Sequence, residues 1–353
     1  VIIQGSAGSG KTTVALHRLA WLLHEKNSDV QAEKTRVIVM NKSLAVYVSA
    51  TLPSMGIDGV QTTTFNSWAL SIIRKSVRGQ PFFKYLNIPS FIEEIKFSEE
   101  ILKALSGWVE KQSTALDEKI KIQFGSRPAY YENWIKSKDK PILVRLRDFS
   151  HEIKTSKLPD AEKKEKLGFV KKQIFSFEDY LQDLYELLSD VDHLKQYLRT
   201  DTKLSSNLDY LKRLTEKNRL KKNLDYFDMS LILRLIQIKN GGLPDGNGGT
   251  VTLDHVVIDE AQDFGPVEFA IMMDSVSDKR QITIVGDIAQ KIFLARKFIG
   301  WDKVVEYLGL DEDAIIKLEV SFRCTVPIMS LAHKVAGNPK KVEGRTGPDP
   351  IWH

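Results

Sequence analysis

A glycine-rich run near the start of the chain has the residue types and spacing of a phosphate-binding loop. Residues Gly5–Thr12 read GSAGSGKT and fit the pattern G-x-x-x-x-G-K-[ST]. In such a loop, backbone N–H groups curl around a phosphate, the lysine reaches the β- and γ-phosphates, and the final hydroxyl binds Mg²⁺. The residues predicted to bind a nucleotide here are Gly5, Ser6, Ala7, Gly8, Ser9, Gly10, Lys11, Thr12 and Thr13.

A pair of acids, Asp259 and Glu260, could complete this site. They directly follow Val256–Ile258, an apolar and β-branched run that is typical of a strand buried on both faces. Phosphoryl transfer to water needs an acidic ligand for Mg²⁺ and a group that orients or deprotonates the water. We therefore predict that Asp259 joins Thr12 at the metal and that Glu260 lies beside the γ-phosphate. Acid pairs at strand ends also cap helices, so the prediction depends on their combination with the loop.

The elements that must position these residues follow from the pattern of short apolar runs. A helical stretch at Thr12–Glu25 separates the first run from the next, and strand, helix, strand in this order predicts βαβ units and a parallel sheet. Loops that follow parallel strands emerge at one edge of the sheet, where ligands bind. The predicted strands are Val1–Ile3, Val37–Met40, Val60–Thr64, Val256–Ile258 and Ile282–Val285.

The middle of the chain has a different texture, rich in Lys and Glu with apolar residues at helical spacing. One face of such a helix carries Phe177, Tyr180, Leu181, Leu184, Leu187 and Leu188. This pattern predicts an all-helical insertion within an α/β domain. The expected domains are 1–80, the first part of the sheet domain; 81–224, the insertion; 225–315, its second part; and 316–353, the start of another domain.

Five segments, taken in order, resemble the motifs of UvrD/Rep/PcrA-like superfamily 1 helicases. The acid pair lies in DEAQD, the form that the second motif takes in that family. Five ordered matches are far more specific than any single one. The matching segments are Val37–Lys42, Thr62–Trp68, Asp259–Asp263, Gly286–Phe293 and Leu318–Arg323.

The resemblance implies a RecA-like P-loop NTPase sheet with an inserted helical subdomain, which hydrolyses ATP with Mg²⁺. It implies catalytic roles for Lys11, Glu260, Gln290 and Arg323, with Gln290 and Arg323 at the γ-phosphate. Single-stranded DNA is the expected partner, RNA less so, and Phe293 would join the nucleotide site to a base-stacking surface. The residues implied to contact the strand are Asn41, Lys42, Thr64, Phe65, Asn66 and Phe293.

The residues alone leave several of these roles open. Aromatic side chains stack on bases and contribute ~1–3 kcal/mol each without reading the base sequence. Phe65 and Trp68 could act in this way, or they could be apolar residues in the core of a helix. Lys212–Lys222 has six basic residues and one acid in eleven positions. Such a run can dock phosphates, or it can be the solvated face of a helix.

The chain also departs from the family pattern in ways that suggest other functions. Asn66 replaces the usual histidine, the family's upstream adenine-reading glutamine is absent, and no tryptophan–arginine pair follows Phe293. These departures resemble the HelD-like branch, whose members act on bacterial RNA polymerase. A P-loop module that is not a motor is a third hypothesis.

Composition places the chain among globular proteins that are not membrane-embedded. It has 353 residues, 42% hydrophobic and 27% charged, and its 51 Lys and Arg against 46 Asp and Glu give a net charge of +5. The single Cys324 excludes an intrachain disulfide, which fits a reduced, cytoplasmic compartment. The abrupt start inside a strand predicts a fragment of a longer product, with a second RecA-like domain beyond the C-terminus. Alone, it is expected to bind Mg·ATP but to hydrolyse it slowly.

Overall fold

The computed structural model describes most of the chain, in which helices alternate with short strands. The described residues are 1–76, 83–174, 177–198, 202–247, 249–278, 281–287, 298–311, 314–335, 337 and 343–351. The strands are β1 Ile2–Gly5, β2 Thr35–Val39, β3 Gln61–Thr64, β4 Phe83–Lys84, β5 Leu224–Asp225, β6 Leu243–Pro244, β7 Thr250–Val251, β8 His255–Ile258, β9 Ile282–Gly286, β10 Ile315–Leu318, β11 Ser321–Thr325 and β12 Gly344–Arg345. The helices are α1 Lys11–Leu22, α2 Lys42–Thr51, α3 Phe65–Ser76, α4 Ser90–Lys96, α5 Glu99–Gln123, α6 Pro128–Lys136, α7 Ile142–Thr155, α8 Asp160–Lys171, α9 Phe177–Ser189, α10 Val191–Lys195, α11 Thr202–Lys221, α12 Asp228–Asn240, α13 Pro266–Met273, α14 Trp301–Leu308 and α15 Val326–Val335.

One compact unit contains the predicted parallel sheet. It comprises Val1–Phe65, Leu253–Gly265 and Met272–His353. Within the described residues its strands pair in parallel in the order β10-β1-β9-β8-β2-β3. The α/β fold with a mainly parallel sheet is therefore confirmed, and β1, β8 and β9 end at the same edge.

The apolar character of the strands follows from their burial between helices. All residues of β8 and β9 are buried, and α1 and α2 pack on the sheet through apolar side chains. Full burial of one such side chain contributes roughly 1.5–3 kcal/mol, so the apolar residues of the strands stabilise the sheet. This core includes Ile3, Leu16, Leu19, Val37, Val39, Val48, Val257 and Val285.

The second compact unit, Asn66–Thr252 with Pro266–Ile271, is built mainly from helices. Helix α9 packs against α11, and α12 packs against α5. The apolar face predicted for α9 is buried at Tyr180, Leu181, Leu184, Leu187 and Leu188. Two-residue strands also pair here, β4 with β5 and β6 with β7. The four domain ranges drawn from the sequence divide the chain elsewhere and stay a prediction.

Buried ion pairs hold this helical unit together. Lys96 Nζ lies 2.5 Å from Asp228 Oδ1, and Arg145 Nη2 lies 2.7 Å from Asp117 Oδ1. Lys239 forms a third buried pair, with Asp183. Breaking such a pair by removing one partner typically costs about 3–5 kcal/mol, because a charge is left uncompensated away from water. No helix in the described part of the chain has the length and apolar character to cross a membrane.

Candidate nucleotide site and the family of the chain

The loop between β1 and α1 has the backbone of a phosphate cradle. Gly8 and Gly10 adopt positive φ values of 73° and 81°, in the left-handed region that favours glycine. A Cβ on Gly8 would also come within 2.2 Å of Arg323 Cβ, so only glycine admits this approach. The geometry of the loop thus depends on Gly8 in two ways, through its φ and through its lack of a side chain.

Unsatisfied donors in the loop indicate that an anion belongs there. Lys11 is only 9% exposed, and its Nζ donates to Gly5 O at 2.9 Å and to Ser6 O at 3.0 Å, which are carbonyls of the loop itself. The buried hydroxyls of Ser6 and Ser9 have no hydrogen-bond partner within the described residues. Because buried polar groups are normally paired, this set of donors fits the phosphates of a nucleotide.

Thr12 and Asp259, the two predicted metal ligands, lie together. Thr12 Oγ1 donates to Asp259 Oδ2 at 2.8 Å, although Thr12 lies in the first turn of α1 and Asp259 directly follows β8. Asp259 is 2% exposed, and burial, reinforced by the charge of Glu260, raises the pKa of its carboxyl to about 6. No cluster of three or more metal-binding side chains occurs in the described residues. Mg²⁺ typically binds one or two protein groups together with phosphates and water, and Thr12 and Asp259 are two such groups.

Glu260 is held at the end of β8 in a strained conformation. Its φ is +54°, which a residue with a side chain rarely adopts, and a short 3₁₀ turn follows at Ala261–Asp263. Gln262 Nε2 donates to Glu260 Oε2 at 2.8 Å, and Gln262 Oε1 accepts the backbone N–H of Asp287 at 2.9 Å. The Glu260 carboxylate is thereby tied to the end of β9.

Strand β11 brings Arg323 to the same loop. Phe322 N donates to Gly8 O at 2.9 Å, and Ser321 Oγ donates to Ala7 O at 2.8 Å. These two bonds fix the backbone on one side of Arg323, whose side chain is exposed. The guanidinium is therefore available to a ligand that occupies the loop.

A cavity of about 340 Å³ gathers these groups. Its lining consists of the loop residues Ala7–Thr13, Glu260 and Arg323, together with Leu44 and Tyr47 of α2. Sequence reasoning missed Leu44 and Tyr47. Their spacing of three residues on a helix that starts just after β2 was the signal that could have identified them.

The residues predicted to contact a nucleic-acid strand are only partly at the surface. Asn41 and Lys42 are exposed, and Asn41 Oδ1 caps α2 by accepting Leu44 N at 2.9 Å. Thr64 and Phe65 are 7% and 3% exposed, and the Phe65 ring centroid lies 6.2 Å from that of Phe264. Phe65 therefore packs in the core here, as does Trp68, which is 6% exposed.

Three further predicted site residues are not placed at this site by the described structure. Asn66 is half-buried at the start of α3 and belongs to the helical unit. Gln290 and Phe293 lie outside the described residues. Their roles stay predictions.

Comparison with known proteins identifies the family of this site. The model of the UvrD/REP helicase N-terminal domain matches residues 1–297. The chain belongs to this family. Membership confirms the resemblance drawn from the motifs, and it implies the use of ATP and Mg²⁺ in general terms.

Proteins similar in sequence to this chain carry a common name. The chain is 23% identical over 345 residues to a probable DNA helicase II homolog of Mycoplasma capricolum, covering 96% of this chain and 39% of that protein. It is 25% identical over 354 residues to proteins of the same name from Rickettsia conorii and Rickettsia felis, covering 98% of this chain and 44% of each. The chain thus spans about two-fifths of the length of these relatives.

Proposed function

We propose that the chain is the nucleotide-binding motor part of an ATP-dependent DNA helicase or translocase, in which ATP hydrolysis drives movement along single-stranded DNA. The observation that carries this proposal is the convergence of Lys11, Thr12, Glu260 and Arg323 at one cavity, with Asp259 hydrogen-bonded to Thr12. Such a set supplies a phosphate cradle, a metal ligand pair, a water-activating acid and an arginine. Its occurrence in a member of the UvrD/REP family favours a motor over a P-loop module without motor activity.

The proposed roles follow from the chemistry of each group. Lys11 and the backbone N–H groups of the loop bind the phosphates, and Thr12 and Asp259 hold Mg²⁺. When bound, this ion neutralises charge on the β- and γ-phosphates. Glu260 orients the attacking water or accepts its proton. Arg323 stabilises the charge that builds up on the γ-phosphate, a contribution that can reach roughly 10³–10⁵ in rate.

DNA is the proposed partner because the similar proteins carry DNA helicase names. Those names do not favour the HelD-like alternative, in which RNA polymerase would be the partner. Asn41 and Lys42, exposed beyond the end of β2, are the described candidates for contacting the strand. Asn66 and Phe293 are also proposed to contact the strand, and Gln290 to contact the γ-phosphate. Thr64 and Phe65 are buried, so a contact with the strand would require their side chains to become exposed.

The test is steady-state ATPase of the protein as its gene encodes it, with Lys11→Ala as the blank. The rate would be measured alone, with oligo-dT, with an RNA oligonucleotide and with RNA polymerase. Strong stimulation by oligo-dT supports the proposal. A rate that ignored DNA but rose with RNA polymerase would contradict it and favour the HelD-like function.

A further inference from the structure

A single buried side chain, Gln262, connects the acid at the end of β8 with the backbone at the end of β9. It is 2% exposed and bonds Glu260 Oε2 at 2.8 Å and Asp287 N at 2.9 Å. A carboxylate only accepts and a backbone N–H only donates. Both bonds can therefore form in only one orientation of the Gln262 amide, and the side chain cannot turn without breaking them.

The Gln262 amide lies close against the backbone of Gly286. A Cβ on Gly286 would lie 2.8 Å from Gln262 Oε1 and 3.3 Å from Ala261 Cβ. Real Cβ atoms essentially never lie within 3.0 Å of another non-bonded heavy atom, so a side chain at residue 286 would require the Gln262 amide to shift. Gly286 therefore provides the space in which the Gln262 amide reaches the N–H of Asp287.

We propose that Gln262 is a positioning residue that holds the Glu260 carboxylate and makes its position depend on the backbone at the end of β9. This inference rests on the proposed function, in which Glu260 acts on the attacking water. Glu260 has a strained backbone, and the Gln262 amide fixes one oxygen of its carboxylate. Asp287 directly precedes the segment predicted to hold Gln290 and Phe293. A shift of the backbone at Asp287 would thus reach Glu260 through the Gln262 side chain.

Gln262→Met removes both hydrogen bonds while it keeps the length and burial of the side chain. In the protein as its gene encodes it, we expect the Kd of a fluorescent Mg·ATP analogue to stay within about twofold. The ATPase kcat should fall by roughly ten- to hundredfold, the rate equivalent of one lost charge-assisted hydrogen bond. Stimulation by oligo-dT, expressed as a ratio of rates, should also fall.

A second variant tests the same contact from its other side. Gly286→Ala would push the Gln262 amide away from Asp287. This variant, like Gln262→Met, should therefore leave the Kd for the nucleotide unchanged and reduce the ATPase kcat. Gln237→Met is the matched control, because Gln237 is 3% exposed and also donates a buried hydrogen bond, to Ile271 O at 3.1 Å, but does not line the cavity. It should leave kcat and its stimulation unchanged.

The outcomes separate this inference from the function on which it rests. Wild-type kcat and stimulation in folded Gln262→Met, beside an inactive Lys11→Ala, would overturn the positioning role alone. Equal losses in nucleotide affinity and kcat would also overturn it, since they indicate a merely structural residue. If the ATPase rate of the wild type did not exceed that of the Lys11→Ala blank, the result would contradict the proposed function itself.

Discussion

The buried Lys11 of the sheet-containing unit lines a cavity, whereas the buried Arg145 and Lys239 of the helical unit contact carboxylates. Lys11 and Asp259 are almost inaccessible, yet within the described residues Lys11 donates to carbonyls of its own loop, and burial raises the pKa of Asp259. In the helical unit, Arg145 and Lys239 are fully buried and each contacts a carboxylate. The comparison teaches that buried charge alone does not mark a site. A site is marked where the charge lacks a protein partner of opposite sign and lies beside a cavity.

Glu260→Gln should have the largest effect on activity with little effect on stability. The variant keeps the size of the side chain but cannot accept a proton, so kcat should fall by roughly 10²–10⁴-fold. The free energy of unfolding and the Kd for Mg·ATP should change little. Steady-state ATPase and equilibrium binding measure the two effects, with Glu25→Gln as a control at an exposed acid. Retention of more than a tenth of the wild-type rate would exclude Glu260 as the water-activating group.

Arg145→Met should show the opposite behaviour in the helical unit. Arg145 donates to Asp117 at 2.7 Å and to Ser113 at 2.9 Å, and its loss would leave a buried carboxylate. We expect the free energy of unfolding to fall by about 3–5 kcal/mol. Nucleotide affinity of the folded protein should be unchanged.

The control for this prediction is the exposed pair of Lys140 and Asp148, whose side chains are 55% and 52% exposed. Lys140→Met should cost at most about 1 kcal/mol. Denaturant unfolding measures both variants. Equal effects for Arg145→Met and Lys140→Met would show that burial of the pair does not matter.

His255 is a buried titratable residue of the sheet-containing unit that does not line the cavity, and its pKa makes the stability of the protein depend on pH. It lies at the start of β8, and burial, together with the charge of Arg18, lowers the pKa of its imidazole to about 3. Below about pH 6.5 the unfolded chain binds the proton more strongly, so the stability that depends on neutral His255 is lost as pH falls.

The stability advantage of wild type over His255→Asn should therefore shrink by about 1.4 kcal/mol between about pH 7.5 and pH 5.5. Denaturant unfolding at both pH values provides the measurement. His24→Asn, at an exposed histidine, should show no such change. An advantage that did not vary with pH would mean that His255 titrates alike in the folded and unfolded chain.

Tyr47 carries the smallest expected effect. It lines the cavity but is 62% exposed. Tyr47→Ala should therefore raise the KM for ATP only about threefold, which corresponds to less free energy than a typical hydrogen bond contributes. Val46→Ala is the control, because Val46 is 70% exposed and lies outside the cavity lining. The same KM for both variants would remove Tyr47 from the site.

The sequence predicted those parts of the molecule that depend on local pattern. The loop at Gly5–Thr12, the acids after β8 and the apolar face of α9 all follow from spacing or periodicity within one element. The buried pair of Lys96 and Asp228 does not, because its partners are 132 positions apart and each is an ordinary charged residue in its own helix. The sequence pattern also could not decide whether Phe65 stacks on a nucleic-acid base or packs in the protein core, since an aromatic ring can do either. Its burial against Phe264 depends on a contact made only in the folded chain.

The central claim is that the charges around the cavity serve a bound nucleotide and its metal ion. The most direct measurement is a fluorescence titration of an ATP analogue into wild type and Lys11→Ala, with Mg²⁺ and with EDTA. We expect saturable binding by wild type with Mg²⁺, weakened at least about tenfold by EDTA or by Lys11→Ala, since each removes a charge from the phosphates. Equal affinity in all four titrations would contradict the account.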